Sequence, residues 1–203
     1  MTIRELFKQH LRHNFFKYLM LVVIFALGIM AGEMKSVNLG AETKSHLLTL
    51  IDQLIDQGIT LDRGENLLLA AAASQIKTVG LMWFLGLTVV GVPLILGLIF
   101  VRAFSLGFTL GFLVQQKGNL GLVVALASVL PQNLIYVPFL LMGAVVSLNF
   151  SLYLVRGRFQ ARAELWQSFV LYTLVMIGIT IVHLLGAVTE SYLSPWLLSL
   201  LLG

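Results

Sequence analysis

The sequence contains no cysteine. That absence excludes disulfides, thiolate metal ligands and cysteine nucleophiles together, and it leaves the redox compartment open. Charge is scarce: 11% of the residues are Asp, Glu, Lys or Arg, against roughly 25% in an ordinary soluble domain. Recognisable catalytic patterns are missing too. There is no H-E-x-x-H zinc motif and no P-loop lysine motif, no pair of aspartates falls inside an apolar run, and Ser128 has no general base near it in sequence. The expectation is a protein without catalytic, metal-binding or cofactor sites and without a nucleic-acid partner. Proline is rare as well, at four of 203 residues, so each one marks a particular place in the backbone.

What remains is apolar. Hydrophobic residues make up 59% of the chain and the mean hydropathy is +0.96, which predicts an all-α integral membrane protein with membrane lipids as its first partners. At 203 residues the chain has room for a single membrane domain over 1–203 and for no separate soluble module. Residues 1–17 read as a cytoplasmic amphipathic helix. Thr2 and Glu5 form a capping box, Ile3, Leu6, Phe7, Leu11 and Phe15 share one face, and Arg4, Lys8 and Arg12 follow each other on another. Such a helix suits an anionic leaflet, and the apolar run after it reads as a retained first span rather than a cleaved signal.

Hydropathy predicts five transmembrane helices, at Tyr18–Ala31, Gly80–Val101, Ala103–Gln116, Leu134–Leu154 and Phe169–Val188. The third is short, since Ala103–Gln116 rises only about 20 Å across a hydrocarbon core of about 30 Å. The positive-inside rule sets the orientation: Arg4, Lys8, Arg12, Arg102, Arg156, Arg158 and Arg162 act as cytoplasmic anchors, with the N-terminus inside and the C-terminus outside. Within these spans only His183 is ionisable near a middle. The acid-rich connection 33–78 falls outside. In it Leu47, Leu50, Ile51, Leu54 and Ile55 form an apolar stripe beside Asp52 and Asp56, a pattern that serves equally for lying on lipid and for docking a partner. The tail Ser194–Leu198 reads as an interfacial helix too short to span.

Two local patterns bear on architecture. In Val129–Pro138, VLPQNLIYVP, Pro131 and Pro138 remove backbone donors, while Gln132 and Asn133 supply side-chain amides. This predicts a broken or re-entrant segment over 120–133, with the amides capping freed ends or a neighbouring helix. Gly28-x-x-x-Gly32 and Gly107-x-x-x-Gly111 are close-approach motifs, fit for contacts within the chain or for a homodimer.

The runs GLMWFLGLTVVGVPLIL (Gly80–Leu96), GFTLGFLVQQKG (Gly107–Gly118) and LPQNLIYVP (Leu130–Pro138) resemble the stage II sporulation protein M family of endospore-forming bacteria. The resemblance implies a noncatalytic scaffold of the engulfment machinery in the mother-cell membrane at the sporulation septum. It also implies partnership with the sporulation proteins D, a lytic transglycosylase, and P, an amidase and endopeptidase, both of which cleave peptidoglycan. The alternative is a permease-like or channel-like subunit that uses the broken helix as a conduit.

Overall fold

The computed structural model describes residues 3–40, 43–49, 64–157 and 162–202. Its described elements are helices: α1 (Ile3–His13), α2 (Phe15–Val37), α3 (helical over residues 43–49), α4 (Gly64–Gly86), α5 (Gly91–Ser128), α6 (Leu130–Arg156), α7 (Arg162–Val188) and α8 (Ser194–Leu202). A π-helical turn, Thr189–Leu193, joins the last two. Five stretches are long and apolar enough to cross a bilayer: Phe15–Val37, Leu67–Gly86, Gly91–Gln116, Leu130–Arg156 and Glu164–Leu197. Helices are what hydrocarbon permits, because each satisfies its own backbone polar groups without water. The protein is a multi-pass membrane protein.

The second and third crossings depart from the hydropathy reading. Gly80–Val101 is not one span, because a turn at residues 87–90 divides it. Here the N–H groups of Leu87, Thr88 and Gly91 bond three residues back, at 3.0, 3.0 and 3.1 Å, and the Thr88 hydroxyl donates to the Leu85 carbonyl at 2.8 Å. The Thr88 carbonyl in turn accepts from Ser151 of α6 at 2.8 Å, which pins the turn to the bundle. Since Leu87, Val89 and Val90 are apolar, hydropathy runs across the turn without a dip. With the boundary moved, the third crossing has 26 residues, about 39 Å of rise, enough for the core of a bilayer. The connection 33–78 contracts accordingly: residues 33–37 belong to α2 and 64–78 to α4. Two charges thereby enter the membrane, Arg102 in α5 and Lys77 in α4.

α6 is the central helix, with 56% of its apolar window buried against 17–28% for the other four. Leu140, Ala144, Val145 and Leu148 on α6 pack with Leu21 of α2, Val79 and Met82 of α4, Ile95 and Ile99 of α5, and Met176 and Ile179 of α7. Tyr172 of α7 closes the end of this core nearest the 87–90 turn. Its ring stacks on Phe150 at 4.4 Å, and its hydroxyl lies 3.0 Å from the Ser147 hydroxyl and donates to the Trp83 carbonyl at 2.9 Å.

α2 and α5 meet along both glycine motifs. A Cβ on Gly28 would lie 2.7 Å from that of Ala103 and 2.8 Å from the Phe100 carbonyl oxygen. One on Gly32 would overlap the Phe104 carbonyl, one on Gly107 the Ile29 carbonyl, and one on Gly111 would crowd the Ser36 hydroxyl. The two helices therefore touch backbone to backbone, and the motifs are occupied within one chain. Gln115 extends the seam by donating to the Ser36 hydroxyl at 2.9 Å.

α5 changes direction at Gly118, whose φ of 56° and ψ of −129° are open only to glycine. Beyond it the chain is helical again to Ser128, Val129 separates α5 from α6, and Pro131 sits in the first turn of α6. Pro138 does not break α6, which runs through it to Arg156. The missing bond falls on a side of the helix that faces out of the bundle. α6 ends at Gly157 in the left-handed region, its N–H bonded to the Leu154 carbonyl at 3.2 Å.

Candidate functional site

The reassigned crossings put a polar layer inside the apolar bundle. Arg102 lies well inside its span, about 16 Å of rise from Gly91, and Gln75 lies at a similar height above Gly86. Arg102 donates through Nη2 to Gln75 Oε1 at 3.3 Å, tying α5 to α4. Its charge also acts on Tyr136 of α6 and His183 of α7. Arg102 thus belongs to this layer and is not an anchor at a helix end, and His183 is not the lone ionisable group within the spans.

Tyr136 joins the layer to the end of the bundle where α6 begins. Its hydroxyl donates to Glu190 Oε2 in the π-helical turn at 2.7 Å, and its ring stacks on His183, with centroids 5.5 Å apart and planes 17° apart. Room for that ring comes from Gly186, where a Cβ would collide with it. His183 is fully buried, at 0% exposure; its Nδ1 lies 3.0 Å from the Ile179 carbonyl, and Nε2 has no partner. A carbonyl can only accept, so Nδ1 carries the proton and Nε2 presents a lone pair to the bundle interior.

The amides of the VLPQNLIYVP stretch complete the layer. The Gln132 side chain donates through Nε2 to the Ser128 carbonyl and accepts at Oε1 from the Ser194 hydroxyl of α8 at 2.9 Å. Asn133 Nδ2 donates to the Val129 carbonyl at 2.7 Å. Carbonyls at the α5–α6 junction are thus satisfied by side chains, and one of those side chains also holds α8.

A second polar group lies at the opposite end. Lys17 Nζ donates to Asn149 Oδ1 of α6 and, at 3.2 Å, to Asn14 Oδ1, which also accepts from Asn149 Nδ2 at 3.1 Å. The beginning of α2 is fastened to α6 in this way. His10 and Tyr18 pack edge to face beside it, and burial, with Lys17 and His13 adding to it, holds the His10 imidazole below its usual range.

The other predicted site residues distribute as follows. Arg12 and Arg156 face outward at this same end, and Arg156 lies close enough to bear on Lys17. Arg4 and Lys8 belong to α1 and Arg162 begins α7, while Arg158 lies outside the described residues. Of the apolar stripe, Leu47 is half-buried on α3; Leu50, Ile51, Leu54 and Ile55 lie outside the described residues. Gln75, Tyr136, Glu190 and Ser194 are the members of the polar layer that the sequence reading missed. Gln75 carried a signal, as a polar residue three turns inside the apolar α4, but the misplaced span boundary masked it; Tyr136, Glu190 and Ser194 lie near helix ends, where polar residues are ordinary.

Among the described residues no cluster of three or more His, Asp or Glu is placed to hold a metal ion. Residues 10–195 match the family model described as stage II sporulation protein M. No curated protein and no solved structure matches the chain.

Proposed function

Because the chain belongs to the stage II sporulation protein M family, a family of sporulation membrane proteins, we propose that it is a noncatalytic scaffold of the engulfment machinery in the mother-cell membrane at the septum. In this reading it recruits the peptidoglycan hydrolases D and P, with its N-terminus in the cytoplasm and the connection between α2 and α4 on the hydrolase side. The family match, which takes in all five crossings, is the observation that carries the reading. The polar layer supports it, since Arg102–Gln75, Tyr136–Glu190 and Gln132–Ser194 each link two different elements. Cross-links of this kind favour a bundle that holds one shape and presents its outer connection in a constant geometry.

The test is a detergent-extracted pull-down of the full chain with the D and P proteins, beside a variant with Leu47, Leu50, Ile51, Leu54 and Ile55 changed to Ser. The parent is expected to retain both hydrolases and the variant to retain at least tenfold less. Retention of neither by the parent refutes the scaffold, whereas equal retention by both proteins moves the contact away from the stripe.

One observation favours a second reading, a permease-like subunit: the unpartnered His183 Nε2 stands in the same interior as the Arg102 charge, the setting of an intramembrane ion or proton path. Purified protein in vesicles loaded with a pH-sensitive dye decides it. A scaffold gives dye responses equal to those of empty vesicles, while a conduit dissipates an imposed proton or ion gradient and loses that activity in His183→Phe.

A further inference from the structure

Lys77 is the second charge that the corrected crossings bring into the membrane, and unlike Arg102 it faces outward. It lies within the Leu67–Gly86 span, about 14 Å of rise from Gly86. Its side chain is exposed, with no hydrogen bond or ion pair to any described residue. With about 14 Å of rise to Gly86 and about 15 Å to Leu67, the lysine stem falls short of both ends of the apolar stretch. An exposed cation in hydrocarbon is costly, and no described residue of the bundle compensates it.

The outward face of α4 is small on the side of Lys77 toward Leu67 and bulky on the side toward Gly86, where Leu81 and Phe84 project from it. Ala70, Ala73, Ser74 and Gly80 stand one turn or two from it on the same outward side. A Cβ on Gly80 would meet nothing within 4 Å, so no packing inside the chain explains why a glycine occupies a helix interior there. Removing side chains around a charge lets a second backbone approach it closely, which is how helices associate in lipid.

We propose that this face of α4 is an intramembrane docking site for a transmembrane helix of another polypeptide that carries an aspartate or glutamate at mid-depth. The occupant follows from charge: a cation buried against an apolar helix gains only if the partner brings the compensating carboxylate. The described residues of a second copy do not supply it. Of the nine acidic residues, Glu42, Asp52, Asp56, Asp62 and Glu65 belong to the segment between α2 and the start of the α4 span, and Glu5 lies in α1. Glu33 lies near the end of α2 and Glu164 in the first turn of α7, while Glu190 is engaged by Tyr136. Glu42, Asp52, Asp56 and Asp62 lie outside the described residues, and none of Glu5, Glu33, Glu164 and Glu190 is an outward carboxylate at the level of Lys77. This inference rests on α4 and on no assumption about the hydrolases.

The absence of cysteine makes the test simple, since a Val89→Cys protein carries one fluorophore beside the end of α4 without further changes. The labelled full chain in phosphatidylcholine vesicles is titrated with acceptor-labelled Leu/Ala helices of 23 residues that differ only in the central residue, Asp or Leu. Energy transfer to the Asp helix is expected at a tenfold or lower peptide-to-lipid ratio than to the Leu helix. The preference is expected to vanish in Lys77→Met, to persist in Lys77→Arg, and to reverse toward a Lys-centred helix in Lys77→Asp. Equal association of Asp and Leu helices overturns the proposal, as does a preference that survives Lys77→Met. Efficient Ala73→Cys cross-linking between copies without peptide would overturn it in favour of a homodimer. Unchanged tryptophan fluorescence in each variant confirms that the bundle has remained folded.

Discussion

Replacing Gly32 by valine is expected to destabilise the bundle by at least about 3 kcal/mol, at the upper end of what overpacking costs. The new Cβ would occupy the space of the Phe104 carbonyl oxygen and lie 2.7 Å from the Phe108 backbone nitrogen. Neither neighbour is a side chain that can swing aside, so α2 must separate from α5 along its length. That separation also opens the contacts at Gly28, Gly107 and Gly111, because all four positions share one seam. Reversible unfolding in mixed micelles measures the loss. Gly97→Ala is the control, since a Cβ there meets nothing within 4 Å, and it is expected to stabilise α5 by up to about 1 kcal/mol through helix propensity alone. A Gly32→Val protein with parental stability and altered oligomeric mass would mean that the motif serves a contact between copies and not the α2–α5 pair.

The second large effect is expected for Arg102→Glu, which reverses a charge inside the spans. The layer would lose its cation, the shorter carboxylate could keep Gln75 only by turning its amide over to donate through Nε2, and a like charge would be added to the surroundings of Tyr136 and Glu190. A cost on the order of 3–5 kcal/mol follows from leaving buried polar groups without their partners. Arg102→Gln keeps a donor for Gln75 and is expected to lose only about 1–2 kcal/mol. Adding Glu190→Gln to Arg102→Glu should recover part of the loss, because it removes the like charge. The same unfolding assay reads all three proteins. Parental stability of Arg102→Glu would show that water reaches this layer freely, which in turn would favour the conduit reading over the scaffold.

How far the sequence was legible differs between elements for physical reasons. The first and fourth crossings were found nearly in place, because each is a long apolar run bounded by charge or by proline: Lys17 and Glu33 around one, Pro131 and Arg156 around the other. The second and third were misplaced because the turn between them is built from Leu87, Val89 and Val90, residues that score like span residues. Turn formation there depends on Thr88, which caps one helix end and is held from α6 by Ser151. A contact from a helix more than sixty positions away leaves no trace in a local average. Arg102 was consequently assigned to a helix end, and Lys77 to an outer connection, on the sound premise that isolated charges avoid hydrocarbon.

The family resemblance needed no structure, since it rested on runs over Gly80–Pro138 and the matched region covers residues 10–195. Composition alone likewise determined that the chain is helical and membrane-embedded, because 59% hydrophobic residues and sparse charge leave helices as the simplest way to satisfy the backbone. Which glycine faces which, and that Arg102 meets Gln75 while Tyr136 meets Glu190, was decided only in the tertiary structure. Those partners lie between 27 and 78 positions apart, and a helical period reports which face a residue occupies but not what the bundle brings against it.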